Sequence, residues 1–174
     1  LAKLRPFFDR SYGSVTAGNS SQITDGAAAV VVASEEFVAK RKLPALARIA
    51  GWGAAGLEPE RMGLGPSRST PVALKHAGVP FGKIGLVELN EAFAAQVLAN
   101  LAAFEKDPAL GAIDPEILNP NGGAIALGHP VGASATRLVL TLLKEMRRRK
   151  VAYGLATLCI GGGQGASIVL EGVA

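Results

Sequence analysis

The chain has one cysteine and two histidines among its 174 residues. A single cysteine excludes an intrachain disulfide and is consistent with a reducing compartment. Aromatic residues amount to 5%, so any core must be built from closely packed small and aliphatic side chains. Hydrophobic residues at 49% exclude disorder, and the length is enough for one domain with its own core. No apolar run reaches the roughly 18 residues of a bilayer-spanning helix, so no membrane span is expected. The formal charge of +4 is modest. Its one concentration, Arg147-Arg-Arg-Lys150, closes a predicted helix, where cations complement the dipole. It is therefore read as a helix end and not as a nucleic-acid patch. No metal site is expected.

What is present gathers in three segments. His129 lies within Asn119-Pro-Asn-Gly-Gly-Ala-Ile-Ala-Leu-Gly-His-Pro-Val-Gly-Ala-Ser134, and the lone cysteine opens Cys159-Ile-Gly-Gly-Gly-Gln-Gly165. Imidazole and thiol exchange protons near neutral pH with modest tuning, and glycine-rich turns let backbone amides approach a ligand. A reaction passing through oxyanions needs both. The third segment, Asn90-Glu-Ala-Phe-Ala94, comes directly after the apolar run Ile84 to Leu89. Each residue also has a plainer reading: Cys159 as a small core residue, His129 as a satisfied core histidine, Asn90 as a helix cap. Gly161-x-Gly-x-x-Ala166 formally fits a dinucleotide fingerprint, but the segment Ala166-Ser-Ile-Val-Leu170 behind it is strand-like. A nicotinamide site would need a helix there and an acidic residue about twenty positions onward.

Together the three segments resemble the thiolase family, which carries an Asn-Glu-Ala-Phe loop, a Gly-Gly-x-x-x-x-Gly-His-Pro loop and a Cys-x-Gly loop in this order. A fourth match, Thr16-Ala-Gly-Asn-Ser-Ser-Gln-Ile-Thr-Asp-Gly26, extends the resemblance over nearly the whole chain. The resemblance implies CoA-dependent cleavage of a 3-oxoacyl-CoA to acetyl-CoA and a shortened acyl-CoA, or the reverse Claisen condensation. Coenzyme A is then a substrate, and no cofactor is called for. It implies that Cys159 moves a proton at the α-carbon of acetyl-CoA, that His129 activates a nucleophilic cysteine, and that Asn90 holds a water completing an oxyanion hole with the histidine. It further implies that Gly161 lends its N–H to a second oxyanion hole, that Ser21 contacts the pantetheine or thioester part of the ligand, and that Phe93 supports the Asn90 loop with substrate contact as the lesser role. His76, Trp52 and Tyr12 match no catalytic motif.

The family uses two cysteines, and the one that is acylated belongs to an N-terminal half that these residues do not include. The expectation is a fragment unable to complete the reaction alone, with its other half and a homodimer or homotetramer as partners. Cytoplasmic location is expected, with an organelle left open. Two other readings stand beside this one: a related decarboxylating condensing enzyme, and a thiolase-like partner that binds acyl-CoA or a subunit without catalysis. The stretch from Phe104 to Pro115, longer than in compact acetoacetyl-CoA thiolases, together with Ser20-Ser-Gln22 resembles the fatty-acid-oxidising branch, while Ala135 stands where the family often has glycine.

The pattern predicts an α/β fold: a mixed sheet with helices packed against it, in βαβαβα-ββ order. Gly26 to Ser34 reads as a strand buried on both faces, and Glu35 to Lys42 as a short helix between Ser34 and Pro44. Leu46 to Ala54 and Ile84 to Leu89 read as strands. Thr70 with Pro71 should start a helix ended by Gly78. Phe93, Val97, Leu101 and Phe104 share one helical face, and Ala135, Leu138, Leu142 and Met146 another. Val151 to Ile160 and Ala166 to Val173 read as an antiparallel pair. By resemblance, residues 1–43 end an N-terminal domain and residues 44–174 form the C-terminal one.

Overall fold

A computed structural model describes residue 1 and residues 3–173. Helix α1 spans Glu35–Arg41, capped by the Ser34 hydroxyl, which accepts from the Phe37 N–H. Next come strand β1 (Ala47–Gly56), helix α2 (Gly65–Ala77), strand β2 (Leu86–Leu89) and helix α3 (Ala94–Lys106). The short helix α4 (Ala124–Leu127), helix α5 (Ser134–Arg149) and strands β3 (Tyr153–Ile160) and β4 (Gln164–Gly172) complete the chain. The sheet has the order β1-β4-β3-β2, antiparallel except for the parallel pair β2 and β3. It is the expected mixed sheet with packed helices.

Alternation along the strands assigns each side chain to a face. Val87, Leu89, Leu155 and Val169 point to one side, where they pack with Ala73 and Leu74 of α2 and Phe104 of α3. Leu86, Ala156 and Leu170 point to the other and pack with Leu138, Leu142 and Met146 of α5. Helix α2 lies so close to β1 that a Cβ at Gly53 would stand 2.6 Å from the Ala73 nitrogen and 2.8 Å from the Ser69 carbonyl oxygen. Only glycine permits that approach. The β3–β4 turn holds Gly162 and Gly163 at φ of 85° and 91°, a region that side chains rarely adopt.

The structure corrects four expectations. Residues 26–34 are not a strand; they run without a sheet partner, with Val31 97% and Val32 72% exposed. β-branched residues make such a run suitable for a sheet, but a strand also needs neighbouring backbone groups, and the described residues place none beside it. The described order is therefore αβαβαααββ. Helix α2 begins at Gly65 with Pro66 in its first turn, so Pro71 sits inside it. Ala135 is exposed, leaving Leu138, Leu142 and Met146 as the buried stripe of α5. The helix after the Asn90 loop is capped by Phe93, not Asn90.

The basic run does close α5: Arg147, Arg148 and Arg149 form its last turn. Arg148 and Arg149 donate to the buried Glu145 carboxylate. Chiefly the hydrogen-bonded Arg148 guanidinium, with Asn121 and Arg149, holds that carboxyl down at about 2.

Phe104 is fully buried and meets Phe81 edge-to-face with ring centroids 5.8 Å apart. Phe104→Ala is expected to destabilise the fold by about 3–5 kcal/mol in urea unfolding; a loss below about 1 kcal/mol would show that this cluster is not the core.

Candidate active site

The parallel pairing of β2 and β3 builds the site. Leu89 lies opposite Thr157, and the next residue on β2, Asn90, donates its backbone N–H to the Thr157 carbonyl at 3.0 Å. Asn90 thus leaves the sheet from the strand beside the one that carries Cys159 two residues later. Asn90 is fully buried. Its Nδ2 stands 3.4 Å from His129 Nε2, while its Oδ1 is buried with no hydrogen-bond partner among the described residues.

Two loops are held together around this contact. The Asn119 side chain accepts from Leu89 N–H at 2.8 Å and donates to the Leu89 carbonyl at 2.9 Å, extending the free edge of β2. The Glu91 carboxylate accepts from Asn119 Nδ2 at 3.1 Å and from Ile125 N–H at 3.2 Å. Asn119 itself has a positive φ of 45°, one of three non-glycine residues described in that region. The strip Ser20 to Gln22 joins both loops: Ser20 bridges to Phe93, Ser21 N–H donates to the Ala92 carbonyl at 2.9 Å, and His129 N–H donates to the Gln22 carbonyl at 2.8 Å. Phe93 is half-buried against Phe8, with ring centroids 5.8 Å apart.

The His129 ring is fixed at its other nitrogen by Ser134, the first residue of α5. Nδ1 and the Ser134 Oγ are 2.6 Å apart, and that Oγ lies 3.1 Å from the Pro130 carbonyl oxygen. A carbonyl can only accept. The arrangement that satisfies these groups has the hydroxyl donating to Pro130 and accepting from Nδ1–H, which leaves the lone pair on Nε2 facing the Asn90 amide. Burial, then the positive charge of Arg137, pushes the His129 pKa below its ordinary value. The neutral imidazole is thus favoured, and no helix starts directly after His129. The turn Pro130–Ala133 intervenes before α5.

Cys159 is 7% exposed near the end of β3, opposite Gly165. Burial pushes its thiol pKa up, so near neutrality it carries its proton. Gly161 lies exposed just beyond, and a Cβ built there meets nothing within 4 Å. Packing within this chain therefore does not demand glycine at that position. The structure brings Asn90 and His129 into contact and sets Ser21 and Phe93 against the same loops; it places Cys159 and Gly161 at the adjoining strand end, without a described hydrogen bond to His129. His76 lies outside this site, its Nδ1 3.1 Å from the Trp52 carbonyl oxygen.

Residues 43–172 match the thiolase C-terminal domain, and residues 1–36 match the thiolase N-terminal domain. This chain belongs to the thiolase family. An acetyl-CoA acetyltransferase of Rhizobium meliloti (strain 1021) is 53% identical over 171 residues, covering 98% of this chain and 42% of the relative. Among solved structures, the Bacillus anthracis acetyl-CoA acetyltransferase superposes with a TM-score of 0.92 at 40% identity, covering 99% of this chain and 42% of that one. The human mitochondrial 3-ketoacyl-CoA thiolase in complex with CoA does so with a TM-score of 0.88 at 43% identity and the same coverage. The chain thus spans about two fifths of the length of the relatives it matches. No described helix is long and apolar enough to cross a membrane.

Ser134, Asn119 and Glu91 belong to the site without having been expected there from the sequence. Ser134 stands at a helix start five residues after the histidine, a spacing that gives no signal until the intervening turn is known. Ser134→Ala is expected to convert His129 from one dominant Nδ1–H form to a mixture of tautomers, read from imidazole 15N shifts. An unchanged Nδ1–H population would contradict the role given to the serine hydroxyl.

Proposed function

We propose that this chain supplies the C-terminal part of a thiolase that cleaves 3-oxoacyl-CoA with CoA, giving acetyl-CoA and a shortened acyl-CoA, or runs the reverse condensation. The observation that carries the reading is the pairing of opposite protonation states at one strand end. His129 is held neutral with its Nε2 lone pair beside the Asn90 amide, while Cys159 on the neighbouring strand keeps its proton. Such a pair provides an acceptor and a donor in one site. The relatives named as acetyl-CoA acetyltransferase and 3-ketoacyl-CoA thiolase, one of them solved with CoA, support the substrate class.

In this reading a nucleophilic cysteine outside these residues gives its proton to His129 Nε2 and attacks the C3 carbonyl of the substrate. The C2–C3 bond then breaks, its electrons pass to C2, and Cys159 donates its proton there to release acetyl-CoA. Cys159, now a thiolate, takes the proton of a second CoA thiol, which attacks the acyl-enzyme carbonyl; the shortened acyl-CoA leaves, and the departing nucleophilic cysteine recovers its proton from His129, so both groups are reset. Asn90, whose Oδ1 has no hydrogen-bond partner among the described residues, holds a water that stabilises the oxyanion together with His129. The Gly161 N–H serves a second oxyanion hole, and the open space around this residue leaves room for a substrate there. Ser21 and Phe93 border the ligand from the loops they join.

Residues 1–43 belong, on this reading, to an N-terminal domain, and residues 44–174 form the C-terminal one. The exposed Phe7, Phe8, Ile23, Val31 and Val32 support it: each is at least 70% exposed, as befits surface that the rest of a larger protein covers. The assembled enzyme works as a homodimer or homotetramer, with coenzyme A as substrate and no separate cofactor.

In the full-length protein, His129→Asn is expected to slow acylation of the nucleophilic cysteine by about 10²–10⁴-fold. Cys159→Ala should leave that acylation measurable with an acyl-CoA lacking the 3-oxo group, yet abolish condensation. Quenched-flow mass spectrometry reads both; unchanged acylation in the first variant or intact condensation in the second contradicts the assigned roles.

A further inference from the structure

Beneath the site lies a buried pair of charges that the proposed chemistry does not use. Glu88 on β2 is 1% exposed, and its Oε2 stands 3.8 Å from Nη1 of Arg137 on α5, too far for a hydrogen bond. Among the described residues, neither Glu88 oxygen and none of the three Arg137 guanidinium nitrogens has a hydrogen-bond partner, although all are buried. Stability gives a poor account of this arrangement. A buried ion pair is often matched or exceeded by apolar residues of similar volume, more so when its hydrogen-bonding groups are unmet. The surroundings are apolar, with Leu86, Leu138 and Leu142 on the same interface.

The position of the pair is more informative. Leu86 and Glu88 face α5, and by alternation Asn90 takes the same side of the strand at the next step, about 6–7 Å further on. On α5, Ser134 and Arg137 are three residues apart and therefore neighbours on one helical face. Asn90 meets His129, His129 meets Ser134, and Arg137 meets Glu88. These contacts and spacings close a polar ring between β2 and α5, with the His129 imidazole on one side and the ion pair on the other.

We propose that Glu88 and Arg137 are positioning residues for His129: the Arg137 guanidinium, three residues beyond Ser134 on α5, sets a positive field on the imidazole side of the ring, and Glu88 stands opposite it as its acidic partner. This rests on the reading of His129 as a proton acceptor. The directions of titration agree with it. After burial, Arg137 is the second cause that lowers His129. Burial first, opposed by Arg137 and reinforced by Glu91 and Glu145, pushes Glu88 up to about 7. The charged groups facing the pair are thus Glu145 on α5 and Glu91 in the loop after β2, in addition to the pair itself.

The test tracks His129 imidazole and Glu88 carboxyl resonances against pH in the full-length protein, comparing wild type with Arg137→Met and Arg137→Lys. Loss of the positive charge should raise both pKa values, His129 by about one unit, while Arg137→Lys keeps both near wild type. A general loosening of the fold would give no such paired, charge-dependent shift, and the lysine variant guards against a folding defect. The acid limb of cysteine acylation should move up in pH with His129 in Arg137→Met. If His129 shifts and that limb does not, the pair acts as proposed and the base role of His129 fails. The inference is overturned if Arg137→Met leaves the His129 titration within about 0.2 unit of wild type, or if Glu88 and His129 move in opposite directions.

Discussion

The hydrogen bond from the Asn90 N–H to the Thr157 carbonyl is the constraint on which the site depends. It ends the one parallel pair of strands in the described sheet, β2 and β3. Parallel neighbours need a long crossover, and here that crossover carries α3, α4, the histidine loop and α5. The chain therefore leaves β2 through Asn90, delivers His129 on the way, and returns along β3 to Cys159. Three residues separated by up to 69 positions in sequence are thus brought to one end of two adjacent strands, Asn90 and His129 in contact and Cys159 on the neighbouring strand.

Burial acts on both ionisable groups of the candidate site. The same loss of hydration lowers the basicity of His129 and raises the pKa of Cys159, because in each case it is the charged form that suffers. One environment thereby favours the neutral form of both the imidazole and the thiol. The loops that hold these groups are fixed by side chains imitating a strand: Asn119 pairs with both backbone groups of Leu89, and Glu91 ties it to the start of α4. The site is thus held by hydrogen bonds to the edge of the sheet, while the apolar faces carry the packing.

Much of this was legible in the sequence. Period and punctuation located α1, the strand now seen as β1, the β3–β4 hairpin and the apolar stripe of α5, and the motif order pointed to the thiolase family. The failures have physical causes. Val30 to Val32 have strand-forming side chains, but pairing depends on neighbours that local sequence does not describe. Thr70-Pro71 looks like a helix start because proline suits a first turn; Gly65-Pro66 offered the same signal one turn and a half earlier. Asn90 has the chemistry of a cap, yet its carboxamide is drawn to His129, and the Gln96 Oε1 accepts from the Ala92 N–H where α3 begins. Ser134, Glu88 and Arg137 were invisible as site residues because their roles come from the crossing of α5 over β2, which no local pattern encodes.

The central claim is that these residues form part of a two-cysteine thiolase site in which Cys159 is the proton donor and not the nucleophile. Its most direct measurement is acetoacetyl-CoA thiolysis with intact-mass trapping, on this 174-residue chain and on the full-length protein side by side. Turnover is predicted in the longer protein alone, with the trapped acetyl group on a cysteine other than Cys159. Turnover by the 174-residue chain, or an acetyl group found on Cys159, would contradict it.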